Sequence, residues 1–472
     1  MNKKHYDIII IGAGSGGLNV SSFFARVGLS VLLVNKSEAS IGGDCLNYGC
    51  VPSKALIHTA RTIKQAHDAS RYGYTVSGKT DLKKVLDEIR HKQDAIRLHE
   101  NSEYLRSKGM DVVIGDASFV DARTLSVNNE LYSFNKCVLA TGSRARALTL
   151  ADNDGSVPLL NNESVFSLET LPDDFVFLGG GPISCELAEA FRFLGSEVTI
   201  LNADKKLLGR EIQEASDAVE SMFKEEGVEI VNSMKLIKIQ NGHVFYTVDD
   251  KEFSKKADAL FVGIGRVLNS EGLALENAGI KIDENGKLII NKYLETTNPH
   301  VVTVGDIAGS FMFTHVAEEH AKVVINNMLS PFKKKSPTTL AWVTYTSKEV
   351  ATFGKSEMIL NEQSIPYTAH MLSFDEEDRS VTDGEKGSFL QVYIDGEGNV
   401  LGGTMVAEDA GELVQDLLTV HYNDLSLKAL YNKVYPYPTK SRINRRLALT
   451  YMGSKLSGRT YAIIRFLFRV FS

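Results

Sequence analysis

Two cysteines stand five positions apart in a glycine-rich stretch, residues 42–54. In a regular helix, Cys45 and Cys50 would be separated by roughly 7.5 Å along the axis, beyond the Cα separation of about 4.4 to 6.8 Å that a disulfide tolerates. Gly49 and Pro52 favour a distorted helix in which the two sulfurs can meet. We therefore predict a redox-active pair; the alternative is two unconnected buried thiols, which are less common among paired cysteines of reducing compartments.

Length and composition indicate a globular protein of about three domains, because 472 residues exceed what one core supports. Four cysteines are too few for a disulfide-stapled secreted scaffold, and the first residues lead into a strand without a cleavage site. The sequence contains no run of about eighteen uncharged apolar residues, so we expect no membrane-spanning helix. We expect a cytoplasmic protein with no nucleic-acid partner.

Charge is distributed unevenly along the chain. The net charge is -7, yet residues 425–472 contain ten Lys and Arg and no Asp or Glu. The other residues, 42 basic and 59 acidic, therefore carry about -17. The body is acidic and the tail is basic.

A first dinucleotide-binding unit is predicted at the start of the chain. A β-branched strand, residues 7–11, leads into a G-x-G-x-x-G turn, a helix over residues 18–27 and a strand over residues 30–34. The turn glycines are Gly12, Gly14 and Gly17. Such a turn between a strand and a helix presents the helix N-terminus to a pyrophosphate. Asn35, at the usual ribose position, can accept one hydrogen bond without the charge of an acid.

The same pattern returns in the middle of the chain, so two dinucleotides are expected. A strand over residues 175–178 precedes the turn of Gly179 and Gly181, a helix over residues 185–194 and a strand over residues 195–201. Asn202 occupies the ribose position, and three cations follow it: Lys205, Lys206 and Arg210. Because no acid would repel a 2'-phosphate, we favour NADPH over NADH. The alternative is a solvated basic loop.

Three further strands end in small or acidic residues. Residues 136–143 form an apolar strand that ends at Thr141 and Gly142, and residues 259–266 close the second unit at Gly265. Asp306 ends the third strand, where open α/β sheets bind ligands. The alternative for Asp306 is a helix N-cap.

The last third of the chain changes pattern. After a linker at residues 330–337, residues 389–396 and 400–406 alternate like antiparallel strands, and helical residues 410–421 follow. We predict an α/β protein with two Rossmann-like dinucleotide-binding domains and a C-terminal α+β dimerisation domain. The predicted ranges are a FAD-binding domain in two parts, 1–150 and 271–335, an NAD(P)-binding domain, 151–270, and a dimerisation domain, 336–472.

The chain ends in a basic amphipathic helix. Apolar side chains between Ile463 and Phe471 share one face, and Arg465 and Arg469 lie on another. Such a helix could lie on an anionic bilayer surface. The alternative, which the opposite charge of the body favours, is packing on the body or the dimer.

With these features in order, the chain resembles the class I flavoprotein disulfide reductases over nearly its whole length, closest to the dihydrolipoamide dehydrogenase and mercuric reductase-like branch. The resemblance implies FAD on the first unit, NAD(P)H on the second and a homodimer. Cys50 would lie against the flavin and Cys45 would meet the substrate. It further implies a Lys54–Glu186 ion pair near the flavin, Asp306 on the ribityl chain, and Gly43 beside the cofactor.

Two departures from the family pattern concern the acceptor. Tyr437 stands where thiol-dependent members carry a histidine, and Arg442 where they carry its glutamate. A tyrosine is a poor base near neutral pH, so we expect inefficient turnover of lipoamide or glutathione disulfide, with Tyr437 the candidate acid-base group. Mercury is not expected either, because a C-terminal cysteine pair and an N-terminal metal-binding domain are lacking. Asp44, where threonine is usual, is expected to raise the pKa of Cys45.

The leading hypothesis is an FAD-dependent NAD(P)H oxidoreductase with a working Cys45–Cys50 disulfide and an unresolved small-molecule acceptor. The rival within enzymes is a reductase of quinones or other small acceptors at the flavin. The rival outside enzymes is a membrane-associated redox sensor or binding protein. The stretch of residues 42–54, which is the most specific part of the resemblance, favours the FAD-dependent oxidoreductase with a working disulfide.

Overall fold

The computed structural model describes residues 3–472 and divides into two compact units. The first contains the described residues up to 203 together with residues 233–338. The second contains residues 204–232 and 339–472. Each unit is described by itself below.

Strands occur throughout the described chain. In order, they are β1 (Lys4–Ile11), β2 (Val31–Asn35), β3 (Asp111–Ile114), β4 (Ala117–Asp121), β5 (Thr124–Val127), β6 (Glu130–Leu139), β7 (Ser143–Ala145), β8 (Leu159–Leu160), β9 (Asp174–Leu178), β10 (Glu197–Leu201), β11 (Glu229–Val231), β12 (Lys235–Gln240), β13 (His243–Val248), β14 (Lys251–Lys256), β15 (Ala259–Val262), β16 (Arg266–Leu268), β17 (Val301–Thr303), β18 (Ala341–Thr344), β19 (Glu349–Gly354), β20 (Thr368–Ser373), β21 (Phe389–Ile394) and β22 (Val400–Ala407).

The α-helices alternate with these strands. In order, they are α1 (Ser15–Arg26), α2 (Gly43–Asn47), α3 (Cys50–Asp68), α4 (Leu82–Arg97), α5 (Ser102–Ser107), α6 (Pro182–Leu194), α7 (Gln213–Glu225), α8 (Thr314–Leu329), α9 (Glu357–Glu362), α10 (Asp378–Asp383), α11 (Ala410–Leu413), α12 (Gln415–Tyr422), α13 (Lys428–Asn432), α14 (Arg442–Ser454) and α15 (Gly458–Phe471).

The first unit contains two parallel sheets. The first sheet joins β3, β2, β1, β6 and β17, all parallel. Strand β5 extends it by antiparallel pairing with β6, and β4 pairs antiparallel with β5. The second joins β10, β9, β15 and β8 in parallel. Their strands are near-continuous runs of buried apolar residues, because helices cover parallel sheets on both faces.

Two smaller antiparallel pairings complete the first unit. Strands β12, β13 and β14 form a three-stranded sheet, and β7 pairs with β16. Strand β7 follows β6 and strand β16 follows β15 in the chain. Their pairing therefore connects the segment after a strand of the first sheet to the segment after a strand of the second.

The second unit is an antiparallel sheet covered by helices. Its strand order is β18-β19-β22-β21-β20. The core beneath α12, α13 and α14 contains Phe353, Phe374, Leu417 and Leu447, each fully buried. This mixed arrangement is the α+β domain predicted from the alternating pattern.

The predicted fold class is therefore confirmed: two Rossmann-like βαβ units and an α+β domain. Helix α1 begins at Ser15 rather than Leu18, since Gly16 and Gly17 belong to its first turns. A Cβ on Gly16 would lie 2.4 Å from Val304, so the glycine permits α1 to pack closely on the sheet. No helix within residues 3–472 is long and apolar enough to cross a bilayer.

Candidate active site

The dithiol stretch folds as two helices separated by a sharp break. Cys45 lies in α2, Cys50 is the first residue of α3, and Gly49 between them has φ -120° and ψ -114°, outside the helical region. A Cβ on Gly49 would lie 3.0 Å from the carbonyl oxygen of Asp44. Pro52 is harmless in the first turn of α3, where its missing N–H has no helical partner. The break lets the two side chains form a hydrogen bond, and both cysteines are free in this structure.

The two thiols are hydrogen-bonded to each other and differ strongly in acidity. The Cys45 hydrogen bond lowers the pKa of Cys50 to about 6, with further contributions from a hydrogen bond to Thr314 and from the positive charge of Lys54. The Cys50 Sγ–Thr314 Oγ1 distance is 3.3 Å. The pKa of Cys45 is raised, chiefly by its hydrogen bond to Cys50 and by burial. In the reduced pair, Cys50 is the thiolate and Cys45 the thiol.

A partly buried ion pair joins α3 to α6 beside the cysteines. Lys54 Nζ lies 2.6 Å from Glu186 Oε2, and the side chains are 36% and 6% exposed. Lys54 stands one helical turn after Cys50, so its ammonium reaches the thiolate side of the pair. The pairing expected from the resemblance is present in the structure.

The carboxylate of Asp44 is neutralised by its own partners. Arg266 Nη2 lies 3.1 Å from Asp44 Oδ2, and Asn162 Nδ2 donates to Asp44 Oδ1 at 3.0 Å. The pKa of Cys45 is raised, but not mainly by Asp44 as expected. The largest causes are the hydrogen bond to Cys50 and burial.

Arg266 extends the same polar network to Asp306. Its Nε donates to Ser143 Oγ at 2.6 Å, and Ser143 Oγ donates to Asp306 Oδ2 at 2.5 Å. Burial raises the pKa of Asp306, against the lowering effects of Ser143 and Arg266. Asp306 begins a 3-10 turn three residues after β17, so it lies at the carboxyl end of a parallel strand.

The two glycine turns have the same backbone geometry. Gly12 and Gly179 both have φ +107°. A Cβ would lie 2.3 Å from the carbonyl oxygen of Ala140 at the first position, and 2.5 Å from that of Gly263 at the second. Each turn therefore requires glycine for both conformation and space.

The residues around α1 fit a bound dinucleotide. Gly14 caps α1 without any side-chain hydrogen bond, so no capping side chain occupies the first N–H groups of the helix. A Cβ on Gly43 would lie 2.6 Å from Gly14 Cα, so two glycines keep this approach free of side chains. Gly17 packs so closely that a Cβ would lie 2.0 Å from the carbonyl oxygen of Gly12. Together with Asp306, these groups match the donors and acceptor that a pyrophosphate and a ribityl chain require.

The entry of α6 is built in the same way. Gly181 caps the helix without a side-chain hydrogen bond, and Pro182 occupies the first helical turn. No atom lies within 4 Å of a Cβ built on Gly181. This helix end fits the pyrophosphate of the second dinucleotide.

The two asparagines at the ribose positions are buried. Asn35 Oδ1 accepts from the Ala13 N–H at 3.0 Å, and its amide donates to Ser37 O and Ser40 Oγ. Asn35 thus fastens the glycine turn to the loop after β2. Asn202 follows β10, and its carbonyl oxygen accepts from Met234 N at 3.1 Å.

Asn269 fastens the segment that contains Thr141 and Gly142. Thr141 Oγ1 donates to Asn269 O at 2.7 Å, and Asn269 Nδ2 donates back to Thr141 O at 2.9 Å. Gly142 has φ +69° and its carbonyl accepts from Asn269 N. Gly265, with φ +109°, accepts from Arg146 N at 2.9 Å. These residues lie where β6 and β15 end.

Tyr437 belongs to the second unit and is held by an acid. Its hydroxyl donates to Asp378 Oδ2 at 3.1 Å, and the Arg442 guanidinium lies 5.4 Å from its ring centroid. The Asp378 hydrogen bond raises the pKa of Tyr437, and the opposing effect of Arg442 is smaller. Tyr437 is 68% exposed and lines a cavity of about 250 Å³ with Arg442 and Arg445.

Four residues of the site escaped the sequence analysis: Thr314, Arg266, Ser143 and Asn162. Thr314 contacts a cysteine 264 positions away, and Arg266 contacts Ser143 across 123 positions. Nothing local marks such pairs. For Arg266 and Thr314, the one usable signal was position in the chain. Arg266 comes directly after the glycines that follow β15, and Thr314 comes shortly after the glycines that follow β17.

Two linked dinucleotide folds, with a polarised dithiol at the first, define an FAD-dependent disulfide oxidoreductase that uses a pyridine nucleotide. The comparisons with known proteins agree. Residues 6–321 match the pyridine nucleotide-disulphide oxidoreductase family, and residues 340–446 match its dimerisation domain. The chain belongs to this family, and the second match supports a homodimer.

Similar proteins include dihydrolipoyl dehydrogenases and mercuric reductases. The dihydrolipoyl dehydrogenase of Mycoplasma genitalium is 31% identical over 450 residues, which cover 93% of this chain and 96% of that protein. The mercuric reductase of Staphylococcus aureus is 27% identical over 94% of this chain and 82% of its own length.

Solved structures show the same fold. The HOCl-induced flavoprotein disulfide reductase RclA from Escherichia coli superposes with a TM-score of 0.83 at 24% identity, covering 93% of this chain and 99% of that one. LpdA from Mycobacterium tuberculosis has a TM-score of 0.85 at 22% identity, covering 95% and 99%.

Proposed function

We propose that this enzyme passes two electrons from NADPH to the Cys45–Cys50 disulfide, and from the dithiol to a small acceptor other than lipoamide or glutathione disulfide. The observation that carries the proposal is the contrast between Cys50, whose pKa is about 6, and Tyr437, whose pKa is raised. The chain stabilises the product of disulfide reduction, whereas the position of the family's base holds a protonated phenol.

The internal half of the reaction balances without another proton. One hydride from NADPH carries two electrons and one proton; it breaks the S–S bond and leaves NADP+, a thiol at Cys45 and a thiolate at Cys50. Bound FAD would supply the two-electron carrier between nicotinamide and disulfide. Thr314 and Lys54 stabilise the thiolate, which favours this distribution of charge.

Gly12, Gly14, Gly17, Gly43, Thr141, Gly142 and Asp306 are proposed to hold FAD. The open N-terminus of α1 would bind the pyrophosphate, and Asp306 would accept hydrogen bonds from the ribityl hydroxyls. Asn35 is proposed to contribute through the turn that it fastens. Gly179, Gly181, Asn202 and Gly265 are proposed to hold the nicotinamide dinucleotide.

The preference for NADPH rests on charge. Asn202, directly after β10, is uncharged at the usual ribose position, and Lys205 and Arg210 are exposed cations downstream in the chain. Lys206 is a weaker candidate, since it donates to Glu211 O at 2.6 Å. Alanine at 205 and 210 should raise KM for NADPH and leave KM for NADH within about twofold, because only NADPH carries the 2'-phosphate.

A second candidate is direct reduction of quinones or similar acceptors at the flavin. The observation that favours it is the phenol of Tyr437, which donates to Asp378 and is not free to accept a proton. A quinone takes up electrons without thiol exchange, so it requires no such base. A non-enzymatic sensor is not supported by the family match.

A steady-state panel tests the acceptor. The holoenzyme is assayed with NADPH and NADH against lipoamide, glutathione disulfide and quinones, and Cys45→Ser is assayed in parallel. Under the proposal, lipoamide and glutathione disulfide are slow, and turnover of the preferred acceptor is lost in Cys45→Ser. Quinone turnover that survives Cys45→Ser supports the second candidate, and rapid lipoamide turnover contradicts both.

A further inference from the structure

The last helix, α15, exposes its apolar side chains. None of its residues is buried. Eight large apolar side chains between residues 461 and 471 are 43% to 84% exposed: Tyr461, Ile463, Ile464, Phe466, Leu467, Phe468, Val470 and Phe471. The packing on the body of its own chain that the charge pattern favoured is therefore not seen. An apolar surface of this extent marks a contact with a partner or a membrane.

The distribution of apolar side chains around α15 favours immersion over one-sided packing. At 3.6 residues per turn, the arc from Phe466 to Tyr461 covers about 220°, roughly three fifths of the circumference. A helix that packs on a protein surface usually needs an apolar stripe little wider than about 100°. Arg465 and Arg469 lie in the remaining sector, which a helix lying in a membrane interface would turn toward the headgroups.

The charge of the tail selects the kind of surface. Residues 425–472 contain ten cations and no acid. Lys433, Lys440 and Arg446 are ion-paired with acids of the same unit. On α15, Arg459, Arg465 and Arg469 are exposed. A surface that meets this segment is complementary when it is anionic, as a bilayer containing anionic lipids is. The 14 residues of α15 span about 21 Å, less than the roughly 30 Å of a hydrocarbon core, so the helix would lie flat.

The helix lies beyond the part of the chain that the family shares. The match to the dimerisation domain ends at residue 446, inside α14, and α15 begins at Gly458. Ser457 caps α15 in a capping box with Thr460, so the helix has its own start signal. It lies outside the residues that match the dimerisation domain.

We propose that α15 binds the surface of an anionic lipid bilayer, with its aromatic and aliphatic side chains in the interface and Arg465 and Arg469 at the headgroups. The FAD- and NADPH-dependent chemistry is not needed for this binding. The proposal therefore stands or falls separately from the proposed function.

Vesicle co-sedimentation of the full-length holoenzyme tests the proposal. Vesicles of phosphatidylcholine with about one third phosphatidylglycerol are compared with vesicles of phosphatidylcholine alone. We expect binding to the first, at least tenfold weaker binding to the second, and loss of binding when residues 456–472 are deleted. High salt should weaken binding, because the charge interaction is screened.

Matched variants separate charge from apolar contact. Arg465→Glu with Arg469→Glu should weaken binding at least tenfold, whereas the control Lys334→Glu with Lys335→Glu makes the same change of net charge in an exposed linker and should not. Phe466→Ser with Phe471→Ser should likewise weaken binding at least tenfold. Its control is Phe332→Ser with Met358→Ser, at side chains that are 85% and 66% exposed.

Two outcomes would overturn the proposal: no binding to the anionic vesicles, and binding that survives the deletion. If absence of vesicle binding is accompanied by a loss of oligomer mass on deletion, α15 is assigned to a second copy of the chain.

Discussion

At the scale of single residues, the site is a pair of thiols made unequal by their neighbours. Cys50 begins a helix, contacts Thr314 at 3.3 Å and lies near the ammonium of Lys54. Each of these features favours a negative charge on sulfur. Cys45, whose pKa is raised, stays protonated and donates a hydrogen bond to the Cys50 thiolate.

Thr314→Val should raise the pKa of Cys50 above its value of about 6, because the hydrogen bond from the hydroxyl stabilises the thiolate. We expect a shift of about one unit or less, since Cys45 and Lys54 remain. The ultraviolet absorbance of the thiolate, followed against pH in the reduced protein, measures it. Thr314→Ser keeps the hydroxyl and should titrate like the wild type; a valine variant that also does so would remove Thr314 from the mechanism.

Tyr437→His with Arg442→Glu restores the histidine and glutamate that the family pattern carries at these two positions. Asp378 raises the pKa of Tyr437, whereas a histidine beside a glutamate titrates near neutral pH. The double variant should raise kcat/KM for lipoamide about 10- to 100-fold, within the range of general acid-base catalysis. Tyr437→Phe should change it less than twofold. A double variant no faster than the wild type would place the block elsewhere.

At the scale of elements, three helices position the chemistry through contacts that are partly buried. The Lys54–Glu186 pair links α3 to α6. Helix α8 supplies Thr314 at its first residue, and His320, further along the helix, accepts the N–H of Gly305 at 3.3 Å. The glycine immediately precedes Asp306, so α8 supports both the thiolate and the carboxylate.

Lys54→Met should destabilise the protein by about 2 kcal/mol. It removes the cation that lies 2.6 Å from the Glu186 carboxylate, which is 6% exposed, although the partly exposed Lys54 limits the cost. Lys54→Met with Glu186→Met should recover most of the loss because the carboxylate is removed together with its cation. Urea denaturation of the three proteins gives the comparison; a double variant as unstable as Lys54→Met would mean that packing dominates.

The stability contributed by α8 should depend on pH through His320. Burial lowers the pKa of His320 from 6.5 to about 4. Between these values the unfolded chain binds a proton that the folded chain does not, so stability falls as pH drops from about 6.5 to 4, by at most about 3 kcal/mol. His320→Asn keeps an acceptor for Gly305 and should lose less stability over this range. The free energy of unfolding is measured against pH for the wild type and for His320→Asn. Coinciding profiles would contradict the assignment of this pH dependence to His320.

At the scale of the whole molecule, the sequence predicted the elements well and their long-range contacts poorly. Glycine turns and apolar strands have local signals, so both βαβ units and the α+β domain could be predicted. The ion pair of Asp44 with Arg266 joins residues far apart in the chain, and a sequence pattern does not encode such contacts. The sequence therefore indicates Asp44 as the cause of a raised Cys45 pKa, whereas in the fold Asp44 pairs with Arg266 and the pKa of Cys45 is raised mainly by its hydrogen bond to Cys50 and by burial.

The central claim is that electrons pass from the nicotinamide to the Cys45–Cys50 pair and that Cys50 holds the resulting charge. Anaerobic titration of the holoenzyme with NADPH tests it most directly. We predict a two-electron stage with long-wavelength charge-transfer absorption from the Cys50 thiolate to the flavin, absent in Cys50→Ser. Bleaching of the flavin without such a stage in the wild type would contradict the claim.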